Sequence, residues 1–312
     1  RLPRTIDKTP LAMELVLQSL FQGGTGNWLE QWWDGKVKPW FSLELVSIEG
    51  SVKFLIRTPS KFKKIIESHI HAQYPTIEVV EVQDYVSQAP YIHEPNEWSL
   101  WGCEFALTKP DPYPIKTYVD YGLDKAGTKE EFKSDPITSI IEFLGSIGRG
   151  QQIWMQILVQ ANGDRYKTPG TWFGQHDWKE EGKRVMKELQ AKAGADDGKP
   201  SKGDMEAMSA IERSLSKIGF DCGIRTLYIA KKEFYDPSNI AGITGAFRQF
   251  SSQTLNGFRP ANTTGFDYPW QDYHDYRLNK KKQAIFDAYV RRSYFYAPYK
   301  SKPFVLNSEE LA

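Results

Sequence analysis

Residues Trp40 to Arg57, WFSLELVSIEGSVKFLIR, leave the chain little choice of local structure. Phe41, Leu43, Leu45 and Ser47 alternate with Ser42, Glu44, Val46 and Ile48. That period of two predicts a strand with one well-buried face. Glu49-Gly50-Ser51 is a short connection in which glycine supplies positive φ, so Val52, Phe54 and Ile56 return as the second arm of a hairpin. Thr58-Pro59 then offers a helix cap and a first-turn proline. Phe62, Ile65, Ile66, His69 and Ile70 give that helix one apolar stripe. Tyr74-Pro75 stops it, and Ile77 to Val82 is expected as a third strand. A β-β-α-β order of these lengths is most of a ferredoxin-like α+β sandwich, a packing module with no chemistry of its own.

Three other helix starts repeat the cap-plus-proline signal: Thr9-Pro10, Asp135-Pro136 and Asp236-Pro237. Residues 1–8 read as an extended basic arm, and Leu11 to Phe21 as a mostly buried helix. Trp98 to Leu107 and Ile115 to Asp120 read as two more strands around a proline-rich connection. A domain boundary is placed near Gly122 to Lys133. Beyond it come a helix from Pro136, a central strand from Gln152 to Val159 and a charged helix from Trp178 to Lys192. Ala193 to Gly203 has linker composition and is expected to be disordered. A helix capped by Asp204, a strand from Cys222 to Ala230 and the helix after Asp236-Pro237 follow. The expected fold is α+β: two ferredoxin-like sandwich halves with antiparallel sheets, residues 1–130 and 131–258. An aromatic and basic extension, 259–312, includes a helix from Ala284 to Tyr294 and ends on a capped helical turn at Asn307 or Ser308.

The 312 residues suit one large domain or two ordinary ones. With 40 basic and 39 acidic residues the formal charge is +1. A wholly basic nucleic-acid binder is therefore excluded, although a local patch is not. No run approaches the roughly 20 apolar residues of a membrane-spanning helix. Cys103 and Cys222 lie in expected strands without C-x-x-C spacing and read as buried free thiols in a reducing compartment.

Motifs for catalysis are missing. The chain has no G-x-x-x-x-G-K-[ST]. Its GADDGK at 194–199 runs into Pro200 in a linker, and the glycines at 145, 148 and 150 precede a strand instead of a helix. Of the five histidines, His69 and His71 point to different sides of one helix, with His69 on the apolar stripe as a core residue. Asp272-Tyr273-His274-Asp275 has ligand chemistry but the composition of a surface turn. No nucleophile has a base beside it in sequence. No catalytic residue, cofactor or metal site is assigned.

Two patches suit a partner. Trp28, Trp32, Trp33 and Trp40 crowd one segment, either covering the sheet edge or forming an aromatic docking patch; Trp32 and Trp33 are the contact candidates. Near the C-terminus Arg277, Lys280, Lys281, Lys282, Arg291 and Arg292 interleave with Tyr289 and Tyr294. That pattern suits phosphate pairing and base stacking on a single strand, and equally suits a solvated helix.

Several stretches together resemble a family. They are Lys8-Thr9-Pro10-Leu11-Ala12-Met13-Glu14, Pro39 to Gly50 (PWFSLELVSIEG), Glu67 to Pro75 (ESHIHAQYP), Asp135 to Ile140 (DPITSI) and Phe304 to Ala312 (FVLNSEELA). The chain is similar over most of its length to the N-terminal region of large bacterial conjugative or type IV secretion ATPases. There a membrane-proximal α/β region precedes a HerA/FtsK-type motor. The resemblance implies that the nucleotide-binding motifs lie beyond Ala312 and that a membrane anchor precedes Arg1. It implies a non-catalytic scaffold that self-associates, contacts the translocation machinery and works in the cytoplasm at the inner face of the membrane. The alternative is a stand-alone module that binds single-stranded nucleic acid.

Overall fold

The structure, a computed structural model, describes residues 9–22, 33, 35, 37–88, 91, 97–124, 135–163, 166–167, 175–195, 201–265 and 272–312. The expected arm at 1–8, Trp28, Trp32 and most of the expected boundary near 122–133 lie outside them. The protein is α+β. Seven strands form one antiparallel sheet: β1 (Trp40–Ile48), β2 (Ser51–Arg57), β3 (Trp98–Leu107), β4 (Gln151–Ala161), β7 (Gly219–Lys231), β8 (Phe258–Ala261) and β9 (Phe304–Asn307). A separate ribbon joins β5 (Tyr166–Lys167) to β6 (Gln175–His176). The helices are α1 (Leu11–Gln18), α2 (Lys63–Gln73), α3 (Pro136–Gly145), α4 (Trp178–Ala195), α5 (Lys202–Leu215), α6 (Ser238–Ala246), α7 (Tyr276–Val290) and α8 (Ser308–Leu311).

The strand order is β2-β1-β4-β7-β3-β8. Residues 1–130 supply β1, β2 and β3, and residues 131–258 supply β4 and β7, which sit between them. The two segments therefore share one sheet. β4 fills one edge of β7 along its length. The other edge is divided: β3 pairs with Ile224–Lys231 and β9 with Gly219–Cys222.

The hairpin forms as its alternation demands. Glu49 and Gly50 both take positive φ, 52° and 82°, which a two-residue turn matched to the sheet twist needs. Gly50 also lies against the end of α3, where an added Cβ would stand 2.8 Å from the Gly145 carbonyl. All four X-Pro signals open a helix, yet they differ in mechanism. Asp135 is a true cap, its carboxylate accepting from Ile137 N–H at 3.0 Å. Asp236 accepts from Ser238 N–H at 2.9 Å. Neither threonine caps: α1 and the 3-10 turn before α2 start at Pro10 and Pro59 without a side-chain bond.

Several expectations need correction. Ile77–Val82 forms no ladder: it is an extended, mostly exposed segment, so the β-β-α unit lacks its last strand. Ile115–Asp120 is no strand: it is irregular to Thr117 and then turn, with Thr117 bonded locally to Asp120. The buried stripe of α2 runs through Phe62, Ile66 and Ile70, while Ile65 and His69 face solvent. One i, i+4 row suffices because α2 covers the sheet at its margin. His69 is thus a surface residue. Helix α4 continues to Ala195, into the expected disordered loop, and α5 is capped by Ser201, not Asp204.

Both faces of the sheet are covered. On one, Phe41, Ile153, Met155, Val159, Phe220, Ile224 and Phe105 meet Leu17 and Leu20, Ile66, Ile140 and Leu144, and Ile243. On the other, Val46, Trp154, Leu227, Ile229 and Leu100 meet Ile285, Phe286 and Tyr289 of α7. The aromatic extension is therefore a lid on the second face, and α7 begins at Tyr276, about two turns before the expected start at Ala284.

Candidate functional site

The second face carries a polar row where an all-apolar one would pack more cheaply. Glu44 on β1 stands opposite Gln156 on β4, Gln156 opposite Arg225 on β7, and Arg225 opposite Glu104 on β3. All four are buried. Unpaired, such charges would cost several kcal/mol each, on the order of the penalty for any isolated buried ion. Each is met from the chain passing overhead, residues 289–301.

Two ion-pair centres result. Arg292 donates from Nε to Glu44 Oε1 at 3.0 Å and from Nη2 to Glu44 Oε2 at 3.3 Å. Its Nη1 and Nη2 also reach Asp84, at 2.7 and 3.0 Å. Ser42 and Tyr85 each donate a hydroxyl to Glu44 at 2.7 Å, and the Tyr85 and Tyr289 hydroxyls meet at 2.8 Å. Burial alone would raise the Glu44 pKa. The hydrogen bond and charge of Arg292, with Ser42 and Tyr85, outweigh it and hold the carboxyl below its ordinary value. Burial, reinforced by the Glu44 charge, pushes both tyrosine hydroxyls up, so they stay protonated as donors. In the second centre Arg225 donates to Glu104 at 2.8 Å and to the Ser293 carbonyl at 3.2 Å. Ser301 and Asn262 also donate to Glu104. Tyr294 lies over Arg225, 5.5 Å from guanidinium carbon to ring centre, and over Gly223, where any Cβ would run into the ring. Trp40 Nε1 donates to the Arg292 carbonyl at 2.7 Å, and the Tyr296 hydroxyl takes Lys38 N–H and Gln160 Nε2.

A second polar knot fixes β9 and α8 to the far end of the sheet. Glu14, 2% exposed, accepts from Lys217, Ser308 and Tyr118. Glu309 accepts from Arg213 at 3.0 Å and Thr117 at 2.7 Å. The expected capped turn is present, with Asn307 instead of Ser308 as its cap and Glu310 completing a capping box. Glu310 turns its carboxylate inward to Ile115 N–H and Asn307 N–H, both at 2.8 Å. Burial pushes Glu310 up to about 8 and Asp111 up to about 6, and their acidic neighbours add to it.

The residues proposed from sequence as contacts divide sharply. Tyr289, Arg292 and Tyr294 are buried in the network just described and do not face a partner. Arg277, Lys280 and Arg291 are exposed on α7 or just after it, and Lys281 and Lys282 are half-buried, Lys281 donating to the Thr263 carbonyl at 3.4 Å. Trp33 is 89% exposed, and Trp32 lies outside the described residues. The sequence reading missed Glu44, Gln156, Arg225 and Glu104. Their signal was parity: each shares its strand face with buried apolar residues, and β4 repeats glutamine on that face at 152, 156 and 160.

Cys103 and Cys222 are free, buried thiols whose pKa burial pushes up, leaving no reactive thiolate. Among the described residues no group of three His, Cys, Asp or Glu side chains is placed to hold a metal ion, and no helix is long and apolar enough to cross a membrane.

The class of protein is thus an α+β domain on one antiparallel sheet, buried on both faces, whose interior charges clamp its own C-terminal segment. The chain belongs to the family described as Domain of unknown function (DUF8128), whose profile matches residues 3–273. That span reaches from before α1 to past β8 and stops short of α7, β9 and α8. A comparison with curated proteins gives no match.

Proposed function

We propose that the chain is a non-catalytic scaffold, the N-terminal region of a DNA- or protein-translocating ATPase of the conjugation or type IV secretion type. In this reading it works at the inner face of the cell membrane, self-associates, and holds the motor against the translocation machinery. One observation carries the self-association. Edge strand β2 has no ladder partner on its outer side among the described residues, and it shows Phe54 and Ile56, 49% and 44% exposed. The extended segment 77–84, tied to the same margin by Arg57–Asp84 and Lys63–Glu81, adds exposed Val79, Val80 and Val82. An open edge with apolar side chains is a surface that favours pairing with another chain. The clamped C-terminal segment supports the scaffold role, because a load applied there reaches the whole sheet.

Sedimentation velocity over a wide concentration range tests this. The wild-type chain is expected to associate, and Phe54→Lys with Ile56→Lys to remain monomeric and folded. A wild-type chain that stays monomeric throughout, or one that turns over nucleotide unaided, refutes the reading.

A further inference from the structure

We infer that the outer face of α7 holds a binding groove for single-stranded nucleic acid, centred on Tyr276, Lys280 and Tyr299. The inference does not rest on the scaffold reading. Helix α7 has two faces of opposite character. Ile285, Phe286, Ala288 and Tyr289 are buried against the sheet. On the other side Tyr276, Asn279, Lys280, Gln283 and Asp287, with Tyr299 from the following segment, line an open groove of about 440 Å³. That volume falls in the range of small-ligand sites, enough for a base with part of its sugar.

Its chemistry favours one class of ligand. Tyr276 is 73% exposed, so its ring has no packing role. Tyr299 is a second ring lining the groove. Aromatic faces stack unpaired bases, and a paired duplex does not offer those faces. Lys280, four residues on from Tyr276, lines the same groove, and exposed Arg277 and Arg291 extend the same helical stripe at both ends. This gives cations along a path past the rings, as a phosphate backbone requires. Asp287, the acid of the lining, is engaged by Gln283 Nε2 at 2.8 Å. Gln283 Oε1, on the same amide, is buried with no hydrogen-bond partner among the described residues. An acidic peptide would use the cations but leave both rings idle.

The test is fluorescence anisotropy on the full chain with a labelled oligonucleotide of roughly 12 nucleotides, a length suited to one such surface. The wild type is expected to bind, and less tightly as salt rises from about 50 to 200 mM. Tyr276→Ala should weaken binding roughly 10-fold, and Tyr276→Phe should restore it. Lys280→Ala should lower the salt slope by about 0.7, the share of one phosphate contact on a single strand. Lys53→Ala, an exposed cation on β2, should bind as wild type. Absence of binding overturns the inference, as does a Tyr276→Ala protein that binds like wild type. Equal loss on Lys53→Ala, equal affinity for the duplex, or binding confined to an acidic peptide also overturns it.

Discussion

Removing the Arg292 guanidinium should cost more than any other single change at the clamp. In Arg292→Met the hydrocarbon stem is kept and Glu44 is left 4% exposed without its counter-charge. Breaking a buried pair in this way costs about 3–5 kcal/mol. Glu44 keeps three neutral donors, Ser42, Tyr85 and Gln156, which places the loss near the lower end, about 3 kcal/mol. Asp84 is 40% exposed and retains Arg57 at 2.9 Å, so its share is about 0–1 kcal/mol. For a domain of this size a total of about 3–4 kcal/mol lowers Tm by roughly 5–6 °C. Adding Glu44→Gln to Arg292→Met should recover about 1–2 kcal/mol, because the orphaned charge is gone. Urea unfolding followed by tryptophan fluorescence measures Arg292→Met, Glu44→Gln and the double variant, with Trp154 seated beside Tyr289 at 5.4 Å. The sign of the pH dependence is a second readout. In the wild type Glu44 sits below its ordinary value, so its contribution is present above that value and fades as pH falls through the folded pKa. In Arg292→Met, burial, the largest influence on Glu44, is opposed only by its neutral donors, the folded pKa rises, and stability instead falls as pH increases above the ordinary carboxylate range. Strictly additive costs in the double variant, or an unchanged pH slope, would refute the clamp.

Two further outcomes follow from the same geometry. Glu310 is raised from 4.5 to about 8, so its contribution is present in acid and lost as pH rises through about 8; Glu310→Gln should flatten the fall in Tm between pH 5 and 8, leaving the part due to Asp111 near 6. Gly223→Ala should cost about 1–3 kcal/mol in thermal melts, since the new methyl meets the Tyr294 ring and must lift the clamp, and an unchanged Tm would show that the ring moves freely.

The strands were legible wherever alternation or apolar runs were long. Trp98–Leu107 matches β3 end to end, and β4 and β7 differ from expectation by a few residues. Ile77–Val82 has strand composition and no strand, because no neighbour comes to pair with it; ladder formation is decided by tertiary partners, not by β-branched residues alone. At the two Thr-Pro starts the cap position falls on Pro10 and Pro59, one residue after the threonine, so neither hydroxyl bonds the first turn, whereas the Asp135 and Asp236 carboxylates reach it across the same proline. The site was harder to read. A basic and aromatic run such as Tyr289 to Tyr294 looks the same whether it faces water or lies over buried carboxylates, and only Glu44 and Glu104 on a distant part of the chain decide which. Its outward remainder, Tyr276, Lys280 and Arg291, became distinct once the inward members were accounted for.

The division of one β7 edge between β3 and β9 has a consequence for how the protein is made. Residues 219–222 gain their partner from 304–307, the last of the described strands of this sheet to be made, whereas β4 and β3 are already present when β7 emerges. Until β9 arrives, that stretch of backbone offers bare N–H and C=O groups to any passing chain. The sheet is therefore complete only once residues 304–307 have been made, and a ribosome-bound intermediate halted before Phe304 should be the form that needs protection by chaperones.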